Sequence, residues 1–168
     1  MNALFCILVA VCAAPGHAQR QPVGLPMNAP TLEVSYAYSA ETTLTDVRIQ
    51  DRRITYTYNV RNSLDKPGRP NVAQQPHYTN RDMKVESAQL TQTEERNLFK
   101  TIRASGFLKL KQPAANPRRR AYPETISVRM GMQSATYAHT EGRAPAAFRT
   151  MREAIKKLVS AHFTHKMV

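Results

Sequence analysis

The chain is poor in cysteine, and the two it has, Cys6 and Cys12, both stand near its start. From Gln19 onward there is none, which excludes disulfides, thiolate metal sites and cysteine nucleophiles from that stretch in one step. Long hydrophobic runs are lacking too. The opening run Ala3–Pro15 falls short of the roughly twenty apolar residues a membrane-spanning helix needs. The phosphate-cradling patterns G-x-G-x-x-G and G-x-x-x-x-G-K-[ST] are absent, as is H-E-x-x-H, and no serine stands in a G-x-S-x-G setting. Acid is scarce: 12 Asp and Glu face 24 Lys and Arg, for a net charge of +12. The acids are scattered without an obvious pair. Glu94-Glu95 is accounted for by the positive end of a helix dipole rather than by acid–base work.

What is present begins with a secretory signature. Ala3–Pro15 (ALFCILVAVCAAP) has the length of a signal peptide's apolar region, and Gly16-His17-Ala18 puts small residues where a signal peptidase reads. Cleavage is expected between Ala18 and Gln19, making residues 1–18 a signal peptide and the product periplasmic or secreted, without a transmembrane segment. No Lys or Arg precedes the apolar run. Both cysteines would leave with the signal. Residues 19–30 hold three prolines and no apolar period, and read as a flexible lead-in. Residues 31–165 are long enough for one hydrophobic core and are expected to form a single domain.

The positive charge is uneven. Between Arg96 and Pro123 stand eight basic residues and no acid: Arg96, Lys100, Arg103, Lys109, Lys111, Arg118, Arg119 and Arg120. Such a stretch either keeps a face solvated or steers an anionic partner. Aromatic residues in it are few (Phe99, Phe107 and Tyr122), so the interleaved stacking platform of single-strand binders is not evident.

Periodicity outlines the fold. Leu32, Val34, Tyr36 and Tyr38 alternate with Glu33, Ser35 and Ala37, the period of two that marks a half-buried strand. Ser39–Thr42 turns the chain, and Leu44, Val47 and Ile49 suggest a second strand. After the polar turn Gln50–Arg53, Ile54–Val60 alternates again and is rich in β-branched and aromatic residues. Residues 61–81 read as a long exposed loop, and Met83–Leu90 as a further short strand. Thr91-Gln92-Thr93-Glu94 is a capping box, in which each side chain satisfies the other residue's orphan backbone donor. The helix that follows carries Leu98, Phe99 and Ile102 on one face and stops at Ser105-Gly106, after which Phe107, Leu108 and Leu110 turn back to the core. Residues 112–123 are a second polar loop. Two strands, Thr125–Met130 and Gln133–His139, precede a turn at Glu141–Arg143. Pro145 then opens an amphipathic helix through Phe148, Met151, Ile155, Leu158, Val159, His162 and Phe163. The order strands, helix, strands, helix predicts an α+β fold: a mostly antiparallel sheet of about five or six strands packed by two helices.

That order, with the strand pair ending in a polar turn, the segment LTQTEERNLFKTIRASGFLKL (Leu90–Leu110), the strand ETISVRM and the proline at 145, resembles emfourin-type domains, small inhibitors of thermolysin-like metalloproteases. The resemblance implies an α+β fold and an inhibitor's role. Two departures stand out. Ser39-Ala40-Glu41 replaces the Gly-Gly turn associated with such inhibitors, and the 61–81 loop is additional.

No catalytic residue, metal site or cofactor is assigned. His162 and His165 form an H-x-x-H pair within reach of one another if the helix persists, yet a zinc site wants more ligands. Their rings are better explained by a helix C-terminus, where positive charge is favoured. Tyr36, Tyr38, Tyr56 and Tyr58 read as sheet core with hydroxyls at its edge. Three functions remain. The first is a non-catalytic protein-binding domain, an inhibitor or immunity-type protein acting on a secreted protease or lytic enzyme. Its contact would be a loop such as 61–81 or the turn Ser39, Ala40, Glu41 and Thr42. The second is binding of an anionic polymer or membrane surface, such as lipopolysaccharide or nucleic acid, through Lys100, Arg103, Lys109, Lys111 and Arg118–Arg120. The third is an unrecognised hydrolase built on His77 or His139, which predicts titratable groups of displaced pKa around one pocket.

Overall fold

A computed structural model describes residues 31–40, 42–60, 78–112, 122–140 and 142–167. The expected signal segment and lead-in (residues 1–30), most of the 61–81 loop and Arg118–Arg120 lie outside the described residues.

Six strands form one antiparallel sheet: β1 (Leu32–Ser39), β2 (Leu44–Gln50), β3 (Arg53–Asn59), β4 (Met83–Gln89), β5 (Glu124–Met130) and β6 (Gln133–His139), in the order β4-β3-β2-β1-β5-β6. Two helices, α1 (Gln92–Ser105) and α2 (Ala146–His162), complete the expected α+β architecture. Alternation decides which face each side chain takes. Tyr36 of β1 stands beside Val47 of β2 and Ile126 of β5, and Val47 beside Tyr56 of β3. All four side chains are buried under the helices. The opposite face carries Ser35, Arg48, Thr55, Ser87, Ser127 and Thr136 in one row across the six strands. Most side chains of this row are short and polar, so this face needs little cover.

Leu98 and Ile102 of α1, and Phe148, Met151, Ile155 and Val159 of α2, join the sheet's buried residues in one core. Full burial of a side chain such as Phe148 or Ile155 contributes about 1.5–3 kcal/mol. Helix α2 crosses the sheet: Phe148 packs on Tyr137 of β6 at 5.6 Å between ring centres, while Phe163, just past its end, packs on Tyr56 of β3 at 5.6 Å. The tyrosines are core, as their alternation predicts; Tyr36, Tyr56 and Tyr58 are buried, and Tyr38 packs against the same cluster.

The caps follow the local sequence. The Glu94 amide donates to Thr91 Oγ1 (3.2 Å), and the Thr91 amide donates to Glu94 Oε2 (2.8 Å), closing the capping box. Gly106 ends α1 at φ 73°, a left-handed conformation that glycine takes without penalty. Phe107 then buries fully in a short 3-10 turn, Phe107–Lys109, with Leu108 and Leu110 partly buried beside it. Pro145 stands at the N-cap of α2, and its carbonyl accepts the Arg149 amide at 3.0 Å.

Candidate functional site

The β1–β2 turn is held from the neighbouring strand. Asn59, at the end of β3, donates its amide to the Thr42 carbonyl (2.8 Å), and its Oδ1 accepts the Leu44 amide (2.6 Å). The Ala40 amide reaches the Thr43 carbonyl at 2.8 Å, and Ser39 Oγ lies 2.7 Å from the Tyr78 hydroxyl. Ser39, Ala40 and Thr42 thus sit on a turn whose ends are tied by side-chain and backbone bonds. Glu41 lies outside the described residues.

The basic stretch makes a ridge. Arg96, Lys100 and Arg103 fall four and three residues apart on α1, which stacks them along one exposed face. Past Gly106, both Lys109 and Lys111 are exposed too, and Lys109 lines the same groove as Arg103. Among the described residues none of these five cations has an ion-pair partner. Some cations elsewhere do, Arg48 with Asp46 (3.0 Å), Arg129 with Glu33 (3.1 Å) and Arg152 with Glu124 (3.0 Å), whereas others such as Arg53, Lys156 and Lys157 stand unpaired among the described residues as the ridge cations do. Arg103 and Lys109 flank an open groove of about 590 Å³ between the exit of α1 and the β5–β6 turn, whose lining mixes apolar Leu108 and Met130 with polar Gln133 and Ser134. Fully exposed Met132 stands at its rim, and among the described residues no carboxylate lines it.

The two candidate surfaces do not meet. The Ser39–Thr42 turn is at the C-terminal end of β1, whereas the groove lies beside the turn that follows β5, which pairs with the start of β1. Eight residues of strand separate them, roughly 23 Å at a strand's rise. One compact partner loop therefore engages one surface or the other.

The histidines separate as well. His162 Nε2 lies 2.9 Å from Glu94 Oε1, tying the end of α2 to the start of α1. His165 stands beyond the helix and stacks on Tyr58, ring centres 3.9 Å apart and planes at 3°. The H-x-x-H spacing is thus not realised on one helical turn, because α2 stops at His162. Among the described residues no three His, Cys, Asp or Glu side chains gather to hold a metal. His139 packs against Phe148, and His77 lies outside the described residues.

Displaced pKa values mark structure. Burial, reinforced by the neighbouring Glu124 carboxylate, pushes the Tyr36 hydroxyl far above the phenolic range. Burial pushes Tyr56 up to about 12 and, with help from Glu86, raises Tyr58. Hydrogen bonds from the Thr91 backbone and hydroxyl, and then from His162, hold Glu94 below the usual carboxylate range. The tyrosines sit under the helices and Glu94 in a helix cap.

Three polar side chains that local pattern does not single out organise the molecule. Asn59 clamps the first turn. Glu124 accepts the Tyr36 hydroxyl (2.9 Å) on one oxygen and Arg152 (3.0 Å) on the other. Gln112 donates to the Ala138 carbonyl (3.1 Å) and accepts the Ala138 amide (2.7 Å), making at that one residue of β6 the bonds a neighbouring strand would make. Each acts across a long sequence separation, so only the fold brings it to its partner.

No protein-family model matches the chain, and no curated protein is significantly similar to it.

Proposed function

We propose that this chain is an exported, non-catalytic binding domain that grips another protein through that partner's acidic surface, in the manner of an inhibitor or immunity protein acting on a secreted or periplasmic enzyme. The observation that carries the reading is the run of exposed cations Arg96, Lys100, Arg103, Lys109 and Lys111, two of which flank a groove that mixes apolar and polar side chains and, among the described residues, has no carboxylate in its lining. A ridge serving only solvation needs no such groove. A groove of mixed lining rimmed by cations suits a protein surface, in which apolar contact supplies affinity and charge supplies orientation and rate. The element order shared with emfourin-type inhibitors points to the same class. The alternative, an anionic polymer or membrane surface, uses the same cations but not the apolar Leu108 and Met130 of the groove.

The test uses the purified protein as bait for the envelope and secreted proteins of the producing cell, washed at low and high salt, beside an Arg103→Glu/Lys109→Glu variant. The expected result is one protein retained through high salt by the parent and not by the variant. The activity of that protein falls as the parent is titrated in. Retention of nucleic acid or lipopolysaccharide alone, lost at high salt, overturns the proposal in favour of the polymer, because counterion-driven binding weakens steeply with salt.

A further inference from the structure

Strand β4 is an edge of the sheet, and its backbone can be assigned residue by residue. The Leu90 amide donates to Arg52 (2.7 Å) and the Asp82 carbonyl accepts from Val60 (2.8 Å), so even-numbered positions along β4 bond inward to β3. By alternation the backbone groups of Met83, Val85, Ser87 and Gln89 point away from the sheet. Among the described residues nothing bonds to them. The Val85 side chain, on the open face, is 64% exposed. Lys84 and Glu86 project from the helix-covered face, their charged atoms 3.6 Å apart.

This edge is complementary to itself. Place a two-fold axis through Val85 and run a second β4 antiparallel to the first. Val85 then bonds Val85 of the other copy through the outward backbone groups, Met83 meets Ser87, and Lys84 faces Glu86 twice over. Shifting the register by two residues sets Glu86 against Glu86 or Lys84 against Lys84, and like charges directly opposite are destabilising. A shift of one residue turns the bonding groups away from each other. A lysine on an edge strand ordinarily repels a foreign strand; here a copy of the same strand presents the carboxylate that neutralises it.

We infer that β4 is a homodimer edge, joining two copies into one continuous antiparallel sheet with the helices of both on the same side. The contact is isologous and closes on itself. The occupant is a second copy rather than an unrelated peptide, because the charge order Lys-Val-Glu read in reverse is its own complement.

The test is sedimentation velocity over a range of concentrations, on protein expressed from the full chain, with circular dichroism confirming that each variant is folded. The parent is expected to shift toward twice the chain mass. Lys84→Glu and Glu86→Lys each turn both attractive pairs into repulsive ones, and each raises the dimer dissociation constant roughly tenfold or more. Mixing those two variants restores a dimer, since an all-acidic edge then faces an all-basic one, and the double swap on one chain dimerises with itself. Val85→Lys, which alters an exposed side chain only, also weakens the dimer. A parent that stays monomeric throughout overturns the inference, as does a dimer indifferent to Lys84→Glu and Val85→Lys.

Discussion

Three tyrosines of the buried sheet face differ mainly in what their hydroxyls meet, and this makes a controlled experiment. Tyr36 donates to Glu124 at 2.9 Å, and that carboxylate also holds Arg152. Tyr58 donates to Glu86 at 2.9 Å, a side chain about one-third open to solvent at 32%. The Tyr56 hydroxyl is buried and, among the described residues, has no hydrogen-bond partner. Replacement by phenylalanine keeps the ring and removes only the oxygen. A hydrogen bond to a charged group is worth about 1.5–3 kcal/mol, and Glu124 keeps Arg152, so Tyr36→Phe is expected to cost about 1.5–2 kcal/mol. Water can replace Tyr58 at the more open Glu86, so Tyr58→Phe should cost about 0.5–1 kcal/mol. Tyr56→Phe loses no bond and relieves a desolvated oxygen, so it should be neutral or stabilising by up to about 1 kcal/mol. Urea unfolding followed by circular dichroism reads the order: midpoints shift while the slope stays constant. A Tyr56→Phe loss as large as that of Tyr36→Phe would refute the reasoning, since the hydroxyl would then be making a bond the geometry denies it.

The Glu94 cap predicts an acid response. Its folded pKa lies below its ordinary value of 4.5, so the stability it contributes is complete above that value and is lost as pH falls through the depressed one. Glu94→Gln should accordingly be less stable than the parent near neutrality and converge on it in acid, as urea midpoints measured across pH would show. Asn59→Ala removes both bonds to the β1–β2 turn and is expected to cost about 1–2 kcal/mol. Amide exchange at Leu44 should rise beyond what that global loss explains. Gly106→Ala meets no heavy atom within 4 Å, so its cost is the left-handed backbone alone, about 1–2 kcal/mol in a thermal melt.

Strands, caps and helix ends were largely legible because each depends on neighbours in sequence. Ile54–Tyr58 alternates cleanly, and Thr91–Glu94 states its own cap. Strand β2 reads less cleanly for a visible reason: Thr45 is the buried polar residue of the sheet, and Leu44 takes the face opposite to Val47 and Ile49. Strand order was not legible, since nothing local in Glu124–Met130 says that it lies beside β1 and places Glu124 within reach of Tyr36. The basic stretch was visible as a run of letters. Its division into a helical ridge, and its distance from the Ser39–Thr42 turn, came only with the fold. The H-x-x-H spacing misleads because it is blind to where the helix stops.

The Gln112 bond pair to Ala138 bears on what happens to many copies in one solution. A sheet with two adhesive borders polymerises, each added molecule offering a fresh end to the next. Here one border carries a glutamine amide already seated where the next strand's backbone would bond, and the other border matches only its own copy. Growth by strand addition is thereby hindered at the Ala138 end of β6. The side chain of Gln112 works there as a partial stopper against the step that leads from a single sheet to a fibre.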